Sequence, residues 1–114
     1  MGLLKSFAYA FRGLLLLIKT ERNFQIHCIA LLLVISAGCY FNIHSFEWLT
    51  ILLISSVVLG LEGLNSALEK LCNEVTEERK ESIRNIKDIA AGAVLISAVI
   101  ALAIGYIIFS KYVA

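Results

Sequence analysis

The sequence lacks the features that mark several common classes of protein. The net charge is only +1, and no basic patch is interleaved with stacking aromatic residues, so nothing indicates nucleic-acid binding. No Walker A or Gly-rich phosphate loop occurs, so a nucleotide would be held in some other way. The three cysteines, Cys28, Cys39 and Cys72, form no C-x-x-C pair. Their apolar or helical surroundings indicate buried, reduced thiols rather than a metal or redox centre.

Hydrophobic residues are what the chain has in abundance. They make up 60% of its 114 residues, proline is absent, and the mean hydropathy is +0.86. This apolar share is far above that of a soluble domain, and three stretches are long enough to cross a bilayer. We therefore predict an all-α membrane protein with a single domain over residues 1–114. Its predicted segments are an amphipathic interfacial helix (1–22), three transmembrane spans (24–43, 48–71 and 89–110) and a charged loop (72–88).

The N-terminal segment has one apolar face and one basic face. Apolar side chains recur every three or four residues, whereas Lys5, Arg12 and Lys19 recur every seven residues on the opposite face. This pattern predicts a helix that lies in the headgroup plane with its basic side chains toward lipid phosphates. A signal peptide is the alternative, but charges interrupt the apolar run and no A-x-A cleavage site follows it.

Basic residues are distributed unevenly among the predicted segments. Nine of the ten lysines and arginines either precede the first span or flank the 72–88 loop, and only Lys111 lies at the opposite end. By the positive-inside rule, the N-terminus and this loop are cytoplasmic. Small residues along the second and third spans suit close helix packing, so we expect the chain to self-associate.

The second span carries polar residues at its cytoplasmic end. Their spacing places them on one helix face about 80° wide, and they are Glu62, Asn65, Glu69 and Asn73. The apolar run before them, 48–61, would reach only about 21 Å, so a helix that spans the bilayer must continue past Glu62. That carboxylate then lies at or below the membrane surface, about 10 Å deeper than Glu69. A carboxylate at such a depth is costly and usually marks a function.

Further polar residues are predicted to lie on the same side of the membrane: Glu21, Asn23, His27, Lys87 and Asp88. Phosphoryl transfer would need such a set, because it requires a divalent metal, a cation for the developing charge and a group that deprotonates the acceptor. In that case Glu21 and Glu69 would be oxygen ligands for Mg²⁺. Lys87 would pair with phosphate oxygens, and Asp88 with the ribose, the base or the metal. Glu62 would be the base for a hydroxyl proton.

Each of these residues also has a purely structural explanation. Glu62 and Asn65 can be a buried polar pair that fixes helix register, or Asn65 can hold the base or the substrate. Glu69 and Lys87 can be boundary charges, and His27 can be a partly buried interfacial histidine. The alternatives to an enzyme are a holin-like or proton-conducting pore and a non-catalytic subunit of a larger membrane enzyme. A pore, however, would not require these polar residues to gather on one side.

Several motifs carry a resemblance that covers nearly the whole chain: RGL at 12–14, ERNFQIH at 21–27, EW at 47–48, LEGLNSALEKLCN at 61–73 and IKDIAAGAVL at 86–95. The order and spacing of these motifs resemble those of the small prokaryotic membrane diacylglycerol kinase family, which includes the undecaprenol kinases. The resemblance implies a homotrimer of three-span subunits in the bacterial cytoplasmic (inner) membrane. It also implies composite sites at subunit contacts, where Mg-ATP phosphorylates a lipid alcohol.

The resemblance also implies roles for individual residues. Glu62 matches the family's catalytic base and Asn65 its active-site asparagine, while Glu21 and Glu69 match its metal-binding glutamates. The positions that it implies for nucleotide binding are Tyr9, Glu21, Glu69, Glu78, Arg79, Lys80, Lys87 and Asp88. The positions that it implies for lipid binding are Arg12, His27, Glu62 and Ala91.

The chain departs from the family pattern in two places. Asn73 stands where the family usually has aspartate, and the tripeptide at 78–80 differs from the more aromatic, histidine-bearing version in relatives. The motif E-x-N-F-x-x-H, which ends at His27, resembles the undecaprenol kinase branch. We therefore expect a polyprenol, undecaprenol, as the acceptor ahead of diacylglycerol.

Overall fold

The structure, a computed structural model, describes residues 2–75 and 80–113. Within these ranges the chain folds into four α-helices: α1 (Leu3–Thr20), α2 (Arg22–Phe41), α3 (Ser45–Val75) and α4 (Glu81–Val113). The last three are long and apolar enough to cross a membrane. This confirms the predicted all-α architecture, in which an amphipathic N-terminal helix precedes three apolar helices.

The chain turns between α1 and α2 at a single residue, Glu21. Glu21 has extended backbone angles (φ −105°, ψ 107°) and therefore separates the two helices. Its N–H still donates to the Leu17 carbonyl at 3.0 Å, and the Gln25 side chain donates to the Ile18 carbonyl at 2.7 Å. These bonds hold the corner together and place the Glu21 side chain beside α3.

A short turn connects α2 with α3. Asn42 adopts left-handed backbone angles (φ 54°, ψ 56°), which asparagine tolerates better than most residues. The Ile43 N–H then reaches back to the Gly38 carbonyl at 3.2 Å. Glu47, in the first turn of α3, accepts a hydrogen bond from the His44 N–H at 3.1 Å. This bond satisfies a backbone donor at the start of the helix.

Both α3 and α4 are longer than the predicted spans. α3 continues to Val75, beyond the predicted end of the second span at residue 71, and α4 begins at Glu81, ahead of the predicted third span at 89. The predicted loop 72–88 is therefore helical over most of its described length, while residues 76–79 lie outside the described part. The physical reason is that this segment is rich in Glu, Lys, Arg and Ile. Most of these residues favour a helix even where the sequence is too polar for a bilayer.

The most extensive helix contact is between α3 and α4. Val58 of α3 and Val94 of α4 are buried, and Ile43, Ile51 and Ile108 form an apolar cluster at the end near the α2–α3 turn. Most other large apolar side chains on α2, α3 and α4 are exposed in the single chain. Such exposure suits helices whose outer faces meet lipid or another subunit.

All three cysteines are free thiols, but their burial differs. Cys72 is buried, Cys28 is half-buried, and Cys39 is exposed on α2. The prediction of a buried thiol was therefore wrong for Cys39. The reason is that only Phe24 and Gly38 of α2 are buried, so most of the surface of this helix remains uncovered.

Candidate functional site

The polar face of α3 is buried at Glu62 and Asn65. Glu62 is 3% exposed and Asn65 is 6% exposed. The Glu62 carboxylate has a different neighbour at each oxygen: Oε2 accepts a hydrogen bond from Asn65 Nδ2 at 3.4 Å, and Oε1 lies 3.5 Å from His27 Nε2 on α2. Burying a carboxylate is costly unless polar groups compensate it. These two neighbours therefore allow Glu62 to lie between the helices.

Asn65 joins Glu62 to Glu69 along α3. Its Nδ2 also donates to Glu69 Oε1 at 3.4 Å, because residues three or four apart lie on the same helix face. The predicted polar face is thus confirmed for these three residues. Asn65 Oδ1 is buried and has no hydrogen-bond partner in the described ranges. An unmet buried acceptor costs about 1–3 kcal/mol, so it marks a place where a ligand group would gain a hydrogen bond.

Glu21, the residue at the corner between α1 and α2, contacts α3 at Lys70. Glu21 Oε2 lies 3.6 Å from Lys70 Nζ, and Lys70 directly follows Glu69 in the chain. Glu21 therefore contacts the residue that follows Glu69, the other predicted metal ligand, although the two glutamates come from different parts of the fold. In the sequence, Lys70 is only one of the basic residues that flank the 72–88 loop. No spacing links it with Glu21, because the corner between α1 and α2 decides this contact.

Lys87 connects α4 with the exposed end of the same polar face. Its Nζ donates to Asn73 Oδ1 at 2.8 Å. Asparagine is a neutral acceptor, whereas an aspartate at this position would form an ion pair with the lysine. The departure from the family pattern at Asn73 thus leaves the Lys87 charge unneutralised in this contact. Asp88, the next residue, is exposed.

A cleft of about 530 Å³ runs between α1 and α3. Its lining is mostly apolar, and its polar residues are Thr20, Glu21, Ser66 and Lys70. The two helices approach each other closely at Gly63, where a Cβ would lie 3.3 Å from Leu17 Cδ1. A concave, largely apolar cleft with a few polar groups at one end is typical of a site for a small organic ligand.

Other residues of the predicted site are not brought to Glu62 within the single chain. Tyr9, Arg12, Lys80, Asp88 and Ala91 are exposed. Among the residues that the structure describes, none of these side chains forms a hydrogen bond or ion pair with the Glu62 carboxylate. Glu78 and Arg79 lie outside the described residues. Within the described residues, the chain by itself brings together Glu62, Asn65, Glu69 and His27, and it places Glu21 beside Lys70.

The site offers carboxylate oxygens for magnesium rather than a complete set of protein ligands. Over residues 2–75 and 80–113, no group of three or more His, Cys, Asp or Glu side chains is arranged to hold a metal. In sites for nucleotide phosphates, Mg²⁺ is usually held by one or two carboxylates, with phosphate oxygens and water in the other positions. Glu21 and Glu69 fit that donor set.

Comparison with known proteins identifies the family. The family described as Prokaryotic diacylglycerol kinase matches residues 8–109. An undecaprenol kinase from Bacillus subtilis is 39% identical over 105 residues, which cover 92% of this chain and 85% of that protein. A diacylglycerol kinase from Synechocystis is 38% identical over 91% of this chain and 60% of its own length. A diacylglycerol kinase from Escherichia coli K12 is 32% identical over 87% of this chain and 81% of its own length. The resemblance carried by the motifs is thus confirmed, and the chain belongs to the prokaryotic diacylglycerol kinase family.

Proposed function

We propose that this protein transfers the γ-phosphate of ATP to the hydroxyl group of a membrane lipid alcohol, with undecaprenol as the acceptor ahead of diacylglycerol. Family membership makes the protein a lipid kinase of the undecaprenol or diacylglycerol kinase type, so the prediction of an enzyme is confirmed. The hypotheses of a pore and of a non-catalytic subunit are set aside for the same reason. The observation that carries the proposed mechanism is the buried Glu62 carboxylate, held by an asparagine that also bonds Glu69.

In this proposal Glu62 is the general base. One of its oxygens would accept the proton of the lipid hydroxyl as the hydroxyl oxygen forms a bond with the γ-phosphorus. The bond from that phosphorus to the β–γ bridging oxygen breaks, and its electron pair leaves with ADP. Asn65 fixes the carboxylate through its hydrogen bond to Oε2. Fixing the base matters because proton transfer requires it to lie within hydrogen-bond reach of the hydroxyl.

Glu21 and Glu69 would hold Mg²⁺ together with the nucleotide phosphates. When bound, Mg²⁺ supplies positive charge that offsets the charge developing on the transferred group. Lys87, held by a neutral asparagine, would direct its ammonium group to phosphate oxygens. The remaining proposed nucleotide contacts are Tyr9, Glu78, Arg79, Lys80 and Asp88.

The lipid headgroup would lie near the cleft between α1 and α3. The apolar lining of the cleft suits a hydrocarbon chain, and its polar end is formed by Glu21 and Lys70. Arg12, His27 and Ala91 are the proposed lipid contacts besides Glu62. The motif that ends at His27 and the similarity to an undecaprenol kinase favour undecaprenol, which would give undecaprenyl phosphate. Diacylglycerol, which would give phosphatidic acid, is the second candidate because two similar proteins are diacylglycerol kinases.

We also propose that three copies assemble with the N-terminus and the segment between α3 and α4 in the cytoplasm. The orientation is supported by the position of nine of the ten lysines and arginines. The trimer is supported by the exposed site residues of α1 and α4. A second copy of the chain would be needed to bring residues such as Tyr9 and Ala91 to the Glu62 carboxylate.

A panel of lipids tests the proposal. Purified protein is reconstituted into vesicles and incubated with labelled ATP, Mg²⁺ and either undecaprenol, diacylglycerol or ceramide. We expect label in lipid phosphate, with the highest kcat/KM for undecaprenol and no labelling when EDTA removes Mg²⁺. A higher kcat/KM for diacylglycerol would reverse the proposed order of acceptors. Failure to label any lipid would contradict the proposed function.

A further inference from the structure

His27 is the basic side chain that lies next to the Glu62 carboxylate. Its Nε2 is 3.5 Å from Glu62 Oε1, and no lysine or arginine in the described part of the chain lies within 4.0 Å of that carboxylate. The His27 side chain is 24% exposed, whereas the Glu62 side chain is 4% exposed. His27 therefore links a buried carboxylate with the accessible surface of the single chain.

The proposed reaction leaves a proton on Glu62 that has to be removed. After each turnover the carboxyl group carries the proton of the lipid hydroxyl, and it cannot act as a base again until that proton has left. Asn65 occupies Oε2 with an amide N–H, which is a donor and cannot take up the proton. The other oxygen, Oε1, faces His27. A proton that leaves from this oxygen meets the imidazole first.

We propose that His27 is the proton exit of this site. The inference rests on the proposed function, because it takes Glu62 to be the base. The proton moves from Glu62 Oε1 to the lone pair of His27 Nε2, and the imidazolium then releases its Nδ1 proton to water. Exchange with water later returns the remaining proton from Nε2 to Nδ1, so that the ring can accept again. Imidazole suits this task because it changes its protonation state readily near neutral pH.

Three other charged side chains near the site have described partners of their own. Their contacts join Glu21 to Lys70, Glu69 to Asn65 and Lys87 to Asn73. The route from Glu62 therefore leads to His27 rather than to a lysine or a second carboxylate. The 3.5 Å separation of the pair exceeds a hydrogen bond of about 2.7–3.2 Å. The two groups have to close slightly for the transfer, as catalytic hydrogen bonds often do when substrate binds.

The decisive variant is His27→Gln. Glutamine keeps a side-chain N–H donor with a similar reach but cannot bind an additional proton. We expect kcat for the preferred lipid to fall at least about tenfold, while the KM for Mg-ATP stays within about twofold of wild type. Loss of the proposed lipid contact would change the lipid KM and not kcat.

Chemical rescue separates a proton exit from a purely structural role. In His27→Ala, added imidazole should raise kcat in a saturable manner, because the free base can occupy the space of the lost ring. His44 is the matched control, since it is the second of two histidines and is exposed in the turn at the opposite end of α3. We expect His44→Gln to keep the wild-type kcat and to show no response to imidazole.

Two results would overturn the assignment of His27. One is an unchanged kcat in His27→Gln, and the other is no effect of imidazole on a folded, trimeric His27→Ala protein. A wild-type protein that phosphorylates no lipid would instead contradict the proposed function, and the inference would fall with it. The two failures are distinguishable because only the second appears before any substitution is made.

Discussion

At the scale of single residues, the site depends on one amide between two carboxylates. Asn65 donates to both Glu62 and Glu69, so it fixes two groups that would serve different steps of the proposed reaction. The same side chain leaves its own oxygen buried and unpartnered within the described ranges. Unmet polar atoms reduce stability, so a ligand group or a second copy of the chain that donates to this oxygen would gain a hydrogen bond.

Replacing Glu62 by glutamine tests the role of the base. Glu62→Gln keeps the shape of the side chain and an oxygen that can accept from Asn65, but the amide does not take up the hydroxyl proton. We expect kcat for lipid phosphorylation to fall by about 10²–10⁴, with little change in the KM for Mg-ATP. The measurement is steady-state kinetics in reconstituted vesicles, accompanied by gel filtration to verify assembly.

Glu74→Gln is the matched control for this experiment. Glu74 lies on the same helix but is exposed, so its substitution should leave both kinetic constants at wild-type values. Near-normal turnover of Glu62→Gln would show that another group deprotonates the lipid. The proposed mechanism, though not the family, would then have to be abandoned.

At the scale of helices, the end of the bundle opposite the site is joined by side chains from α2, α3 and α4. Glu47 of α3 is 7% exposed and accepts hydrogen bonds from Lys111 and Tyr112 of α4. Trp48 of α3 packs against Gly38 of α2. These contacts fix the relative positions of the three helices. The separation between His27 on α2 and Glu62 on α3 depends on that arrangement.

Gly38→Ala tests the contact between α2 and α3. A Cβ at this position would lie 2.6 Å from Trp48 Cη2 and 2.8 Å from Cζ2, so the indole ring or the helix has to move. Overpacking of this kind costs about 1–3 kcal/mol. We therefore expect a lower midpoint of thermal unfolding, measured by circular dichroism in detergent, and a reduced kcat.

The same substitution at Gly105 provides the comparison. In α4 a Cβ at Gly105 would meet no atom within 4 Å in the single chain, and alanine favours a helix over glycine by about 0.5–1 kcal/mol. Gly105→Ala should therefore leave the unfolding midpoint unchanged or raise it. Equal destabilisation by both substitutions would mean that the close approach of Gly38 to Trp48 does not control the packing.

At the scale of the whole molecule, the single chain is flat and largely apolar outside. Its principal extents are 52 × 38 × 20 Å, and large apolar side chains cover the exposed faces of α2, α3 and α4. A layer only 20 Å thick leaves both broad faces to lipid or to further copies of the chain. This shape supports the proposed assembly of several copies in the membrane.

The proposed orientation can be tested with single cysteines. In a background without Cys28, Cys39 and Cys72, Ser45→Cys places a thiol at the exposed start of α3, and Ser82→Cys places one at the exposed start of α4. We expect a membrane-impermeant maleimide to label the first in intact spheroplasts and the second only after lysis. The reverse pattern would contradict the positive-inside prediction.

The sequence by itself determined the helices and the polar face of α3. Helix length, the apolar stretches and the spacing of Glu62, Asn65 and Glu69 are local properties, because a helix repeats every 3.6 residues whatever surrounds it. The family also followed from linear motifs. The ends of the helices around the 72–88 loop could not be predicted from the sequence, because the polarity of a segment indicates where the bilayer ends and not where a helix ends.

Only the tertiary structure decided which distant residues meet. The pairs His27–Glu62, Glu21–Lys70, Lys87–Asn73 and Glu47–Lys111 each join residues from different helices or from a helix corner. No periodicity in the sequence links such residues. Their contacts depend on the direction of the corner at Glu21, on the turn at Asn42 and on the packing of α3 against α4. These are properties of the packed chain, and they explain how a row of polar residues on one helix acquires its remaining partners.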